Sequence, residues 1–533
     1  MNLNDFLRKT PLYSQWLRIK TRSHHGINIP LGALKSEQSC GIGEYLDLYL
    51  LIDFCKTCGF DLIQLLPLND SGDDPSPYNA LSSYALHPIY LSLSSLPYLE
   101  KHPYLHEELA SLMGLNLSER IEYASVLEKK MLFLKHYFDL TKEYFYQNST
   151  YQQFVKEHEW LEEYVFYKSI KHAISFKSWQ EWPEELRELN EGVREKLRTE
   201  LLEWNNFYKI LQFLCFSQLE AVKAYAEKND LFLMGDIPIL ISPDSADVWA
   251  EREFFDMNDS VGFPPDVYSK EGQLWGFPAL RWDVLAACDY RWWKRRLAVA
   301  SRLYHLYRID HVAGFYRLWL IERGKEPKDG RFFPHELKTC IKQGHEHLSR
   351  IISFSPMLPI AEDLGLIPHE MSQSLRSLGI AGTKVMRWER NWGHDQTFTI
   401  VEEYPILSMS CVSTHDSATL QLWWEEFPEE AKEYCKEKGW EYSVDLKIEQ
   451  RKSILKDAHR SHSLFHINLL GEYLAIDPNL CHKDPKDERI NVPGVMSSKN
   501  WTYKIQVTLE EISKHSSLIT WMQSLTSEKD LEN

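Results

Sequence analysis

The chain has 533 residues, 44% of them hydrophobic, with a formal net charge of −17. That length excludes one small domain and suits a barrel with insertions. The acidic balance argues against nucleic acid and anionic membrane as partners, both of which select basic patches.

The first 25 residues read as a partly ordered lead-in. They carry no apolar signal core, and no run of 18 apolar residues follows anywhere in the chain. Nine cysteines are scattered without zinc spacing. Cys55 and Cys58 form a lone C-x-x-C in a helical stretch and read as helix cysteines rather than a metal or redox site. Free thiols in this number point to a reducing compartment, so the expected location is the cytoplasm. Nothing in the composition selects an oligomeric state.

Residues 61–67 read as a first buried strand. The stretch 68–84, rich in Asp, Ser, Pro, Gly and Asn, reads as a long loop at that strand's C-terminal end, where barrel sites are built. Residues 87–93 read as a second strand. From about 97 to 229 apolar residues recur at three and four with Lys and Glu between them, which predicts a mainly helical inserted subdomain. Leu231-Phe-Leu-Met-Gly-Asp236 reads as the third strand, ending in an acid. The Gly-, Pro- and aromatic-rich stretch 238–278 reads as a substrate-covering loop.

Three later runs share one form. Leu306-Tyr-Arg-Ile-Asp-His311, Leu358-Pro-Ile-Ala-Glu-Asp-Leu-Gly365 and Cys411-Val-Ser-Thr-His-Asp416 are short apolar or β-branched stretches leading into an acid, with helix-length segments between them. They read as strands four, five and seven, with 382–387 as the sixth and 465–470 as the eighth. A (β/α)8 barrel with large, mainly helical insertions, and no detachable second domain, is the expected fold.

A single Asp after a strand is more often a turn former or an N-cap. Three acids in series supply what α-glucoside chemistry needs: a nucleophile, a proton donor and a carboxylate that holds the sugar. Arg308 and Asp310, two apart on a strand, face the same way, and a guanidinium favours an ionised carboxylate. The bland alternative is an ion pair bracing the barrel. Glu362 and Asp363 are adjacent and cannot both face inward, so the longer Glu362 reads as the general acid and Asp363 as a structural group. His415 and Asp416 form a pair able to bind adjacent sugar hydroxyls. No Gly-x-Ser-x-Gly elbow and no His-Glu-x-x-His spacing accompanies them, which discounts a serine triad or a zinc site. His345-Glu-His347 reads as the surface of a helix.

From about Gly41 to Trp501 these residues, taken together, resemble the 4-α-glucanotransferases (amylomaltases or disproportionating enzymes, glycoside hydrolase family 77 of the α-amylase clan). The resemblance is carried by Gly41-Ile-Gly-Glu44, Ser76-Pro-Tyr78, Gly235-Asp-Ile-Pro238 with Asp244-Ser-Ala-Asp-Val-Trp249, Pro264-Pro-Asp266, Trp275-Gly276, Arg308-Ile-Asp-His311, Ala361-Glu-Asp-Leu-Gly365, Thr414-His-Asp416, and Arg489-Ile-Asn-Val-Pro-Gly494 with Asn500-Trp501. The short blocks recur across the clan, whereas their combination with Pro-Pro-Asp and Asn-Val-Pro-Gly is specific.

The resemblance implies Asp310 as nucleophile, Glu362 as acid/base and Asp416 as transition-state stabiliser. Arg308 and His415 would be close supports. Asp236 lies in the third-strand block, and Tyr78, Asp266, Trp275 and Asn491 would line glucan subsites. It implies α-1,4-glucan and a sugar acceptor as partners, retention of configuration, and no metal or organic cofactor. Asn79, Ser417 and the segment Asn28-Ile-Pro-Leu-Gly32 depart from the family pattern at the donor-side rim. Two rivals remain at this point: an α-glucan hydrolase of the same clan, which only the substrate-loop resemblance disfavours, and a non-catalytic glucan-binding protein, which the intact acids disfavour.

Overall fold

The computed structural model describes residues 2–266, 269–365, 367–392 and 394–526. Eight parallel strands form the core: β1 (His24–Ile29), β2 (Leu62–Leu65), β3 (Phe232–Pro238), β4 (Leu306–Asp310), β5 (Leu358–Ala361), β6 (Gly382–Val385), β7 (Ser408–Cys411) and β8 (Phe465–Leu469). They are hydrogen-bonded in the order β6-β7-β8-β1-β2-β3-β4-β5. A parallel bridge between Ile360 and Ala381, with the Ala361 N–H donating to the Ala381 carbonyl at 2.8 Å, joins β5 to β6 and closes the barrel. Covered on both faces, several of the strands, β5 most clearly, read as short apolar runs rather than alternating ones.

Two strand expectations fail for stated reasons. β1 lies at the end of the presumed lead-in, so 61–67 holds the second strand and not the first. Its His-His-Gly-Ile-Asn-Ile composition hides it, although buried His24 is satisfied inside, where it binds the Asp61 carboxylate at 2.8 Å and the Lys20 carbonyl at 2.9 Å. The stretch 87–93 is not a strand. Pro88, which has a fixed φ and no N–H, instead opens the 3-10 turn Pro88–Tyr90.

Between β2 and β3 run the helices α1 (Tyr123–Tyr146), α2 (Trp160–Ala173) and α3 (Leu202–Lys228), with shorter ones among them. α2 grips the loops on either side of it. Lys168 pairs with buried Asp70 at 2.7 Å and the Tyr164 hydroxyl donates to the same carboxylate at 2.6 Å. One helical turn on, Lys171 and the Tyr167 hydroxyl hold Asp244, at 2.6 and 2.7 Å. Asp70 lies in the loop after β2 and Asp244 in the loop after β3, so one helix face fixes both.

The stretch 238–278 is more ordered than a loop. It contains a helix, Ala246–Ala250, and a hairpin of strands Phe255–Phe263 and Gln273–Leu280. The hairpin continues into Leu318–Glu322 and Arg331–Phe333, giving a second, four-stranded antiparallel sheet. His345 and His347 lie in the helix Leu337–Ile352, but His347 is buried, not on the surface: its Nδ1 is 2.6 Å from the Tyr290 hydroxyl and its ring stacks on Trp282. No helix of the described residues is long and apolar enough to cross a membrane.

Candidate active site

Arg308 is the hub. Buried in β4, its Nη1 donates to Asp236 Oδ2 of β3 at 2.8 Å and to Asp310 Oδ1 at 2.7 Å, and its Nη2 lies 4.0 Å from Glu362 Oε2. In the parallel register, Asp236 stands opposite Arg308, Pro238 opposite Asp310, and Arg308 opposite Ile360. The three acids around one guanidinium are thus delivered by three neighbouring strands at the same end. Asp236 is inside β3 rather than at its end, because the strand runs on to Pro238.

Glu362 follows β5 directly. Its Oε2 accepts the His311 N–H at 2.9 Å and its Oε1 the Leu364 N–H at 2.8 Å. Burial pushes its carboxyl up to about 7, with Asp310 adding to the rise and Arg308 and the two N–H donors opposing it. Asp363 points the other way, accepting the Thr383 N–H at 2.7 Å, as the adjacency argument requires. Burial also raises Asp236, to about 6, against the pull of Arg308.

Asp416 reaches the cluster from a loop five residues beyond the end of β7 at Cys411. His415 Nε2 is 3.2 Å from Asp416 Oδ2, and the Asn491 amide donates to Oδ1 at 2.6 Å. Desolvation works to raise this carboxyl, but His415 and Asn491 carry it down to about 2, while the same pairing holds the buried His415 above its ordinary value. The Tyr78 hydroxyl closes the ring, donating to Asp236 Oδ2 at 2.8 Å and standing 3.0 Å from His415 Nε2, with its ring stacked on the imidazole.

Asp310, Glu362, Asp416, Arg308, His415, Tyr78, Asp236 and Asn491 therefore form one connected group. Trp275, on the hairpin, meets the ring of His311, the residue after Asp310, edge-on with centroids 5.0 Å apart. Asp266 lies in the turn between the hairpin strands, where its carboxylate accepts the Ser269 N–H at 2.6 Å. The departing residues serve their own loops: the Asn79 amide donates to Asp74 at 2.8 Å, and the Ser417 hydroxyl accepts the Thr414 N–H at 2.8 Å, shaping the turn that presents Asp416.

Two contributors escape the sequence reading. Arg489 donates to the Asn491 carbonyl at 3.0 Å, bracing the amide that holds Asp416, and its place in the C-terminal motif was the available signal. His311 donates through its backbone from a left-handed conformation, which no residue pattern announces.

With this geometry in place, comparison with known proteins is direct. The family described as 4-alpha-glucanotransferase matches residues 29–509. A 4-alpha-glucanotransferase of Chlamydia pneumoniae is 44% identical over 519 residues, spanning 97% of this chain and 97% of that protein. One from Chlamydia caviae is 41% identical, spanning 96% of each. In fold, the chain is similar to the amylomaltase from Streptococcus agalactiae solved in complex with acarbose, with a TM-score of 0.79 at 23% identity over 95% of this chain and 99% of that one. The chain belongs to the 4-alpha-glucanotransferase family.

Proposed function

We propose that Asp310 is the nucleophile and Glu362 the acid/base of a retaining transfer of α-1,4-glucan segments. The observation that carries this reading is one guanidinium, Arg308, in contact with Asp310 and within 4.0 Å of Glu362, combined with a Glu362 carboxyl pushed up to about 7. An ionised carboxylate and a protonated carboxyl side by side are the two states that the first step requires.

In that step an Asp310 oxygen bonds to the anomeric carbon as the glycosidic bond breaks. Glu362 passes its proton to the departing oxygen, leaving a glucosyl ester and a Glu362 carboxylate. In the second step the 4-hydroxyl of another glucan, or of glucose, gives its proton to Glu362 and its oxygen bonds to the anomeric carbon. Asp310 leaves as a carboxylate and both groups are restored. Asp416, held ionised by His415 and Asn491, binds sugar hydroxyls and the positive charge that develops at the ring. Asp236 and Tyr78 keep Arg308 and His415 in place. The hairpin around Trp275 covers the cleft and keeps water from the ester, and Asp266 lines its glucan-facing turn. Nine free cysteines suit a cytoplasmic enzyme.

The test is chromatography of the products from maltotriose. A ladder of longer maltodextrins plus glucose supports transfer. Shorter sugars alone would make the protein a hydrolase, and no change would remove the reading.

A further inference from the structure

His311 has three features that the transfer chemistry described above does not use. It occupies the left-handed region at φ 48° and ψ 57°, unusual for a residue with a bulky side chain. Its backbone N–H donates to Glu362 Oε2 at 2.9 Å. Its half-buried ring lies edge-on to Trp275 and Phe263 of the hairpin, with centroids at 5.0 and 6.3 Å. One residue therefore touches the acid through its backbone and the hairpin through its side chain. Burial pushes the imidazole down to about 4, so at neutral pH it carries no charge to offer substrate or acid.

The second N–H donor to Glu362 meets the same hairpin. Leu364 precedes Gly365, which has φ 89°, and a side chain added at Gly365 would stand 3.2 Å from the Phe263 ring. Phe263 thus rests on the turn that aims Leu364, as Trp275 rests on the residue that aims the first N–H. Phe263 and Trp275 are themselves stacked at 6.2 Å. Among charged groups, Arg308 and Asp310 of β4 act on Glu362, and both belong to a barrel strand and not to the hairpin.

We propose that His311 is a positioning residue that couples the seat of the hairpin to the proton affinity of Glu362. Resting on the transfer mechanism above, the coupling deepens it. With the hairpin seated on an acceptor glucan, both N–H groups point at Glu362 and favour its carboxylate, the form that must take the acceptor's proton. With the hairpin displaced, those bonds loosen and Glu362 keeps its proton, the form that cleaves the donor. The hairpin thereby matches the state of the acid to the half-reaction under way.

The test is the pH dependence of maltotriose disproportionation, whose basic limb reports the protonated form of the general acid. His311→Gly keeps the left-handed backbone without strain and removes the ring. It should move the basic limb upward by roughly 0.5 unit or more, because the ionised form loses donors. Phe263→Ala, which leaves His311 and Glu362 intact, should move the limb in the same direction. His311→Phe, restoring a ring without nitrogen, should return the limb to its wild-type position. Circular dichroism checks folding, and Phe263→Ala carries the test should the glycine variant fail to fold. A lowered rate with an unmoved limb in His311→Gly and Phe263→Ala would overturn the proposal, reducing the rings to packing. A limb displaced equally in His311→Phe would overturn it too, assigning the effect to the imidazole. Failure of the wild-type protein to make a ladder from maltotriose is a separate result, which sinks the transfer reading before any variant is made.

Discussion

The loop that carries Tyr78 and the hairpin that carries Trp275 meet the same cluster of acids, yet they are fastened differently. The Tyr78 loop is tied by charge removed from water: fully buried Asp70 is held by Lys168, Tyr164 and the Gly72 N–H, and lies 3.8 Å from buried His87. The hairpin is tied by backbone pairing, by rings and by ion pairs at the surface, such as Arg331 to Asp259 at 2.7 Å and Lys328 to Glu271 at 3.2 Å, with both cations half exposed. Removing one partner of a buried pair strands the other in a poor solvent, whereas a surface pair exchanges readily with water. One wall of the site is thereby pinned by buried charge from the helical insertion, and the other is held by backbone pairing, rings and ion pairs whose cations are half exposed.

The largest effect belongs to the acid between the two walls and sets the scale for both. Glu362→Gln should lower turnover on maltodextrins by roughly 10²- to 10⁴-fold. Glucan affinity should persist, and an α-glucosyl fluoride, which needs no protonation to leave, should recover the first step. Full activity of this variant on maltotriose would take Glu362 out of the role.

On the pinned side, Lys168→Met leaves Asp70 buried without its cation and should destabilise the protein by about 3–5 kcal/mol. Denaturant unfolding measures this, and a loss below about 1 kcal/mol would show that Tyr164 and the backbone suffice to hold Asp70.

The pinned side should also be the more acid-sensitive. Burial depresses His87 to about 4, opposed by Asp70, so the folded state binds its proton later than the unfolded chain does, where the value is about 6.5. The unfolded state then holds more protons between these values, and stability rises with pH there. This contribution is complete above about pH 6.5 and is lost as the pH falls towards 4. His87→Gln should flatten the melting temperature against pH in that window, with one group supplying at most about 1.4 kcal/mol per unit. An unchanged slope would assign the acid sensitivity to other histidines, such as the half-buried His25, also held near 4 by burial.

The hairpin side should show function without stability. Trp275→Ala is expected to leave the fold intact and raise the ratio of hydrolysis to transfer from maltotriose, since water reaches the ester and the acceptor loses a stacking surface. A folded variant with an unchanged ratio would make Trp275 a packing residue. Smallest of all, Arg331→Ala should cost about 0.2–1 kcal/mol and less at high salt. A larger loss, measured in the same denaturant assay, would mean that the hairpin is pinned after all.

Part of the barrel was legible in the sequence, because a strand covered on both faces is often a short apolar run: β5 is wholly apolar and β2, β3 and β4 mostly so, whereas β6, β7 and β8 carry Thr383, Lys384, Ser408, Ser410, His466 and Asn468. β1 departs from it furthest: His24 and Asn28 are buried polar residues, and His25 packs against His459 of the helix Ile448–Arg460. The false strand at 87–93 looked equally apolar, and only Pro88 argued against it. The antiparallel sheet built on 238–278 was hidden by its Gly and Pro content, which signals turns and is silent about the strands between them.

The sequence by itself determined that Asp310 ends its strand and Glu362 follows one directly, that Glu362 and Asp363 must part, and which family the motifs resemble, since these follow from local spacing and residue type; it misplaced Asp236, which lies inside its strand, and Asp416, which lies in a loop beyond one. Tertiary structure alone decided that Arg308 also reaches Asp236 and Glu362, that Asp416 returns from beyond its strand to meet Asn491, that one helix in the insertion grips two site loops, and that the His311 backbone supplies a proton donor to Glu362. Each of these is a contact between residues far apart in the chain or a backbone angle imposed by packing. A carboxyl near 7 and another near 2 in the same site arise from desolvation and neighbouring charge, which exist only after the chain has closed around them.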